Sequence, residues 1–205
     1  MTSYVGTGFP KVIEDKNVGW VLLKAQKVTG GVSSVDFEDG TNSVVIDGTY
    51  DEYMFVLTNL HPASNDEGIA FQVNASGESG YNEVINSTFF RAKHGESGAS
   101  HQSVDYVDSY DQGGGGTSHQ RLCNDVGNED EESVSGTFYL YAPADGMKVK
   151  HFISRMVECH SSDIIMDNYV AGFINTYKPI DEIKFLFTSG NIDSGTISMF
   201  GLVKS

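Results

Sequence analysis

The stretch DSYDQGGGGTSHQRLC, residues 108–123, concentrates residue types that do chemistry: acids, four consecutive glycines, a hydroxyl pair, a histidine and a cysteine. A phosphate cradle, a metal site and a catalytic loop are the three chemistries open to it. A phosphate loop needs glycines at set spacings, so that successive N–H groups converge on the anion, and a lysine and a hydroxyl leading into a helix. Gly113, Gly114, Gly115 and Gly116 run instead into Thr117, Ser118 and His119, with neither a lysine nor an apolar helical period behind them. Asp105, Asp108 and Asp111 just upstream would repel a phosphate. The motif argues against nucleotide binding, and the tetrad reads as a flexible surface loop between two strands.

Carboxylates offer a second chemistry. In SVDFEDG, Asp36 and Glu38 lie two apart and share one face of a strand, and retaining glycosidases hold two carboxyls about 5 Å apart across the scissile bond. The β-glucanase pattern has a third acid at the next alternate position, where this chain has Gly40. The pair therefore reads as a solvated strand end, and a sandwich-fold glycan hydrolase is the minor reading. DGTYDEY and NEDEES are oxygen-rich in the way Ca²⁺ prefers, without EF-hand spacing. A structural Ca²⁺ stays open, supported by no specific motif. No Cys or His pair has zinc-finger or zincin spacing. Nucleophilic catalysis lacks a G-x-S-x-G elbow, and Ser118 beside His119 is not a triad. Tyr81, Tyr106 and Tyr110 lie near polar loops and are candidate glycan contacts, the ring stacking on a sugar while nearby Asn and Asp read its hydroxyls.

What must position these residues is almost entirely strand. The chain has 23 Gly, 12 Phe and 10 Tyr but only four Pro, with 39% hydrophobic residues. Gly-rich turns between aromatic and β-branched runs make a sandwich or barrel. Strand signals recur at WVLLKAQKVTG, EYMFVLTNL, IAFQVN, VINSTFFRAKH, HQSVDYV, SHQRLCN, SGTFYLYA, KVKHFISRMVECH, NYVAGFINT, IDEIKFLFTSG and GTISMFGLV. The expected fold is all-β, an antiparallel double-sheet jelly-roll-like sandwich of about eleven strands. EYMFVLTNL is apolar on both faces, Tyr53, Phe55 and Leu57 against Met54, Val56 and Leu60, which places it in the centre of the fold. SGNIDSG, with a Gly at each end, is expected to close the last two strands as a hairpin. Residues 95–135, with nine acids and one Arg, read as a long solvated excursion. Residues 1–19 form a short arm ahead of the sandwich of residues 20–205.

The net charge of −15 argues against nucleic acid and anionic membrane as partners, since both require cationic neutralisation of phosphates. Lys11, Lys16, Lys24 and Lys27 against Glu14 and Asp15 make residues 1–30 net +2, leaving −17 on the remainder. Two cysteines do not make a disulfide scaffold. No apolar run reaches the length of a signal core or a membrane span. Use without export by the general secretory route is expected, with both cysteines as thiols.

GTYDEYMFVLTNLHPASNDEGIAFQVN, SGYN, VKHFISR and YVAGFINTYKPIDEIKFLFTSGNIDSGTISMFGL lie between residues 48 and 202, within a likeness that runs from about Val32 to Val203. They resemble a domain of virion proteins from marine and cyanobacterial tailed bacteriophages. There a YDEY strand, an N-x-HPA turn, an FQVN strand and a closing SGNID-x-GTI segment follow in the same order. The resemblance implies a non-enzymatic β-sandwich of the virion, assembled in the host cytoplasm. Such a protein is either a capsid decoration or cement subunit held on the major capsid protein, or a tail-fibre or appendage adhesin that binds a host surface glycan. It brings no catalytic pattern. Beginning at Met1 with a short arm, the chain is expected as a separate subunit and a homo-oligomer. Phe9, Pro10 and Trp20 are the candidate docking anchors, and Lys11 and Lys16 meet acidic partner surface.

Overall fold

Period-2 alternation of apolar side chains is what builds this molecule. The computed structural model describes residues 19–98 and 101–204. Its first six strands are β1 (Trp20–Val28), β2 (Val35–Glu38), β3 (Glu52–Pro62), β4 (Ile69–Ala75), β5 (Ile85–Gly95) and β6 (Ser103–Tyr106). The other six are β7 (Gln120–Arg121), β8 (Val134–Tyr141), β9 (Lys150–His160), β10 (Ile164–Ile174), β11 (Ile180–Phe187) and β12 (Ile192–Leu202). They form two antiparallel sheets, one of eight strands in the order β1-β12-β3-β8-β9-β10-β5-β6 and one of four, β2-β11-β4-β7. The expected sandwich is the fold, with its strands unevenly divided.

Between the sheets lies an aromatic spine. Phe138 of β8 sits 4.5 Å from Phe71 of β4 and 5.6 Å from Phe185 of β11, while Phe55 of β3 sits 5.2 Å from Phe37 of β2 and 5.3 Å from Phe185. Rings from both sheets meet edge to face or tilted, the arrangement that aromatic quadrupoles favour.

Three expectations need correcting. SGNIDSG does not close a hairpin: β11 belongs to the four-stranded sheet and β12 to the eight-stranded one. The segment is an arch between sheets, anchored where the Ala63 N–H donates to the Asn191 carbonyl at 2.9 Å and where Val32 bridges Ile192. Ile183, Phe185 and Phe187 of β11 and Ile192, Ile197 and Met199 of β12 are all buried. Their apolar faces must oppose each other across the core, and an arch achieves this.

β3 is not covered on both faces. Tyr53, Phe55 and Leu57 are buried while Met54 and Val56 are only half-buried. Leu60 joins the buried side because the ladder is irregular between Leu57 and Leu60, with Asn59 at φ 48°. One extra residue there flips the alternation. Its second apolar face belongs to the outside of the large sheet.

Residues 95–135 are not a solvated excursion throughout: 120–127 is the part that turns inward. Leu122, Cys123 and Val126 are completely buried in the core cluster. A four-stranded sheet cannot cover an eight-stranded one, and this segment covers the inner flank that is left over, with Tyr110 5.2 Å from Phe89 of β5. The acids bracket this apolar patch in sequence, which is why the segment reads as polar throughout.

Candidate functional site

In register, the outward side chains of the eight-stranded sheet line up as rows across it, one of them reaching all eight strands. Tyr106, Phe90, Tyr169, Arg155 and Thr137 stand opposite one another on β6, β5, β10, β9 and β8. The row continues through Val56, Ser198 and Ala25 on β3, β12 and β1. The neighbouring row is Thr88, Ala171, Ile153, Tyr139, Met54, Phe200 and Leu22. On the other side lie Val104, Ala92, Asp167, Val157 and Ser135. Ile153 is 45% exposed and Phe90 43% exposed. Apolar side chains on an outer face make it the candidate interaction surface of this molecule.

The rings are on edge. Phe90 and Tyr169 stack with planes 1° apart and centroids 4.9 Å apart, and the Arg155 guanidinium lies 5.0 Å from the centroid of Tyr169. Arg155 grips Asp167 with two parallel bonds of 2.9 and 2.7 Å, and the Tyr169 hydroxyl donates to the same carboxylate at 3.0 Å. Bonding to Arg155 holds the Asp167 carboxyl below its usual range and pushes the guanidinium further up. The pair is internally neutralised, and the inner ring faces are already occupied. A shallow hollow of about 350 Å³ lies beside this ladder, floored by Tyr139, Ile153 and Thr137.

The expected contact residues are dispersed. Phe9, Pro10, Lys11 and Lys16 lie outside the described residues. Trp20 opens the edge strand β1, and its ring meets Tyr139 at 6.0 Å. Tyr106 is on the ladder, 61% exposed, its hydroxyl bonded to Asp111. Tyr110 is half-buried, with the Arg121 guanidinium 4.5 Å from its centroid. Tyr81 is on the outside of the small sheet, with the Lys184 ammonium 3.9 Å from its ring centroid. Burial, and then its bond to Glu182, push the Tyr81 hydroxyl above its ordinary value. Asp36 pairs with Lys184 at 3.7 Å and Glu38 stands opposite Glu182, so Asp36 and Glu38 do not work as an isolated dyad. Among the described residues, no three His, Cys, Asp or Glu side chains converge as a metal site. Cys123 and Cys159 are unbridged.

The glycine tetrad is tied down. The Gly116 N–H donates to the Gly113 carbonyl at 3.2 Å, with Gly114 at φ 62° and Gly115 at φ 93°. Positive φ at both central positions needs glycine. Buried Gln72 donates from its amide to the carbonyls of Glu83, Thr117 and Ser118 at 2.9, 3.1 and 3.2 Å. Beside the turn runs a groove of about 430 Å³, lined by Tyr110, Asp111, Gln112, Ser118, His119 and Arg121 among others. Asp111 Oδ1 and Gln112 Oε1 are buried there without a partner.

Sequence reasoning missed the outer face, although the outward Tyr139, Ile153, Arg155 and Val157 were its signal. It also missed the buried Glu158, which holds the 95–135 segment from beneath. Comparison of the chain with protein-family models, with curated proteins and with solved structures returns no match.

Proposed function

We propose that this protein is a non-enzymatic structural subunit, placed on a larger assembly through the outer face of its eight-stranded sheet. One observation carries the reading. In a chain of net charge −15, the two central outward rows hold a single charged side chain, Arg155, and Asp167 neutralises it. Charge is depleted at the core of interfaces and kept elsewhere for solubility. The resemblance to tailed-phage virion proteins makes the assembly a virion and the subunit a capsid decoration or cement component on its exterior. Residues 1–19 then act as a docking arm that joins β1 at Trp20. Imaging of the intact particle tests this: the outer face buried against neighbouring subunits is the expected result, and a face open to solvent overturns it.

A carbohydrate-binding adhesin is the second reading, favoured by the two unpartnered acceptors beside Tyr110. Sugar hydroxyls would donate to Asp111 Oδ1 and Gln112 Oε1 once these side chains turn from their buried orientation into the groove. Glycan-array binding lost in the double variant Asp111→Asn, Gln112→Ala is the expected result; binding unchanged in that variant removes the groove as the site. The edge-on ladder offers little open ring face for sugar stacking.

A further inference from the structure

We infer that the occupant of the outer face of the eight-stranded sheet is a second copy of this chain, seated on the same face of its partner to form an isologous dimer. This rests on the reading of that face as an assembly surface and names what covers it.

Charge is the first argument. The chain carries 28 acids against 13 Lys and Arg, so most of its surface repels a copy of itself. Arg155 is the one charge in the central rows, and Asp167 neutralises it with two parallel bonds. An identical molecule meets no like charge there. A foreign partner selected by electrostatics would instead be cationic and would dock on the acidic surface elsewhere.

Area is the second. The three rows, of eight, seven and five residues, lie about 7 Å apart on strands about 4.8 Å apart and span on the order of 700 Å². That is about what each partner contributes to a stable interface. Shape is the third. The ring ladder of Phe90 and Tyr169 stands beside the hollow over Ile153 and Tyr139. A two-fold axis sets the ridge of one copy beside the hollow of the other, because an isologous contact pairs each patch with itself. Two sheets stacked this way lie about 10 Å apart with strands about 30° from parallel.

The test is sedimentation equilibrium of the full chain, wild type and variant. A wild-type dimer whose dissociation constant rises about 30-fold or more in Ile153→Glu, the threshold of a hot spot, supports the inference. Tyr177→Glu, at an exposed site off this face, should leave the dimer intact. Ala171→Glu serves as a second variant, and far-UV circular dichroism confirms that each is folded. A wild type that stays monomeric, or a dimer that survives both Ile153→Glu and Ala171→Glu, overturns the inference. A monomer whose outer face is nonetheless buried in the imaged particle leaves the structural role standing and assigns the face to another subunit.

Discussion

Both carboxylate oxygens of Glu158 accept from the backbone N–H of Asn124, at 3.1 and 3.0 Å, in the buried seam where residues 95–135 meet the large sheet. Cys123 and Asn168 lie beside the carboxyl, and Arg91 reaches the Asn124 side chain. Burial pushes the Glu158 carboxyl up to about 7, against these bonds.

From the ordinary glutamate value of 4.5 up to about 7, the unfolded chain releases the Glu158 proton while the folded one keeps it. Stability from this group is therefore full below 4.5, falls as pH rises through that window, and levels off above 7. At about 1.4 kcal/mol per pH unit the loss is on the order of 3 kcal/mol. Glu158→Gln keeps an acceptor for Asn124 and removes the titration. Urea unfolding across this pH range should show the wild-type decline flattened in the variant, and an unchanged slope refutes the assignment.

Lys150 is fully buried, its ammonium donating to the carbonyls of Lys148 at 2.6 Å and Thr176 at 3.2 Å. Lys150→Met keeps the apolar stem but strands both acceptors. The expected cost is about 1–3 kcal/mol, read from the urea midpoint with the m-value unchanged.

Within the tetrad the glycines are not equivalent. Gly115→Ala forces a side chain onto φ 93° and should destabilise by about 1–2 kcal/mol. A methyl group added at Gly113 would meet nothing within 4 Å, and φ there is not positive, so Gly113→Ala should stay within about 0.5 kcal/mol. Equal effects in thermal denaturation would contradict the turn geometry.

Two phenylalanines separate core from contact surface. Phe138, which touches rings from both sheets, should cost about 3–5 kcal/mol as alanine. Phe90→Ala, on the outer ladder, should change stability by less than about 1 kcal/mol while weakening assembly. A large loss of stability at Phe90 would place it in the core.

Strand identity is legible in the sequence because alternation is a local property: β9 reads buried and exposed in turn from Lys150 to Glu158. What alternation cannot say is which sheet a strand joins. Ile183 and Ile197 give the same signal whether SGNIDSG turns within one sheet or arches across to the other. The apolar second face of β3 looks like double burial because a sequence does not distinguish apolar surface covered by its own chain from surface left for a partner. Leu122, Cys123 and Val126 are hidden among nine acids, since three apolar residues crowded into five positions leave no period to detect. Tyr106 stands out in the sequence for its aromatic ring and its polar loop, and its true setting becomes visible only when register places it opposite Phe90.

β12 lies between β1 and β3 and is hydrogen-bonded to both. During synthesis on the ribosome, β1 therefore waits without its native neighbour until residues 192–202 have emerged. The nascent chain must keep Leu22 and Trp20 from unwanted pairing for nearly its whole length, and any premature stop before Ile192 leaves β1 and β3 as raw edges open to aggregation.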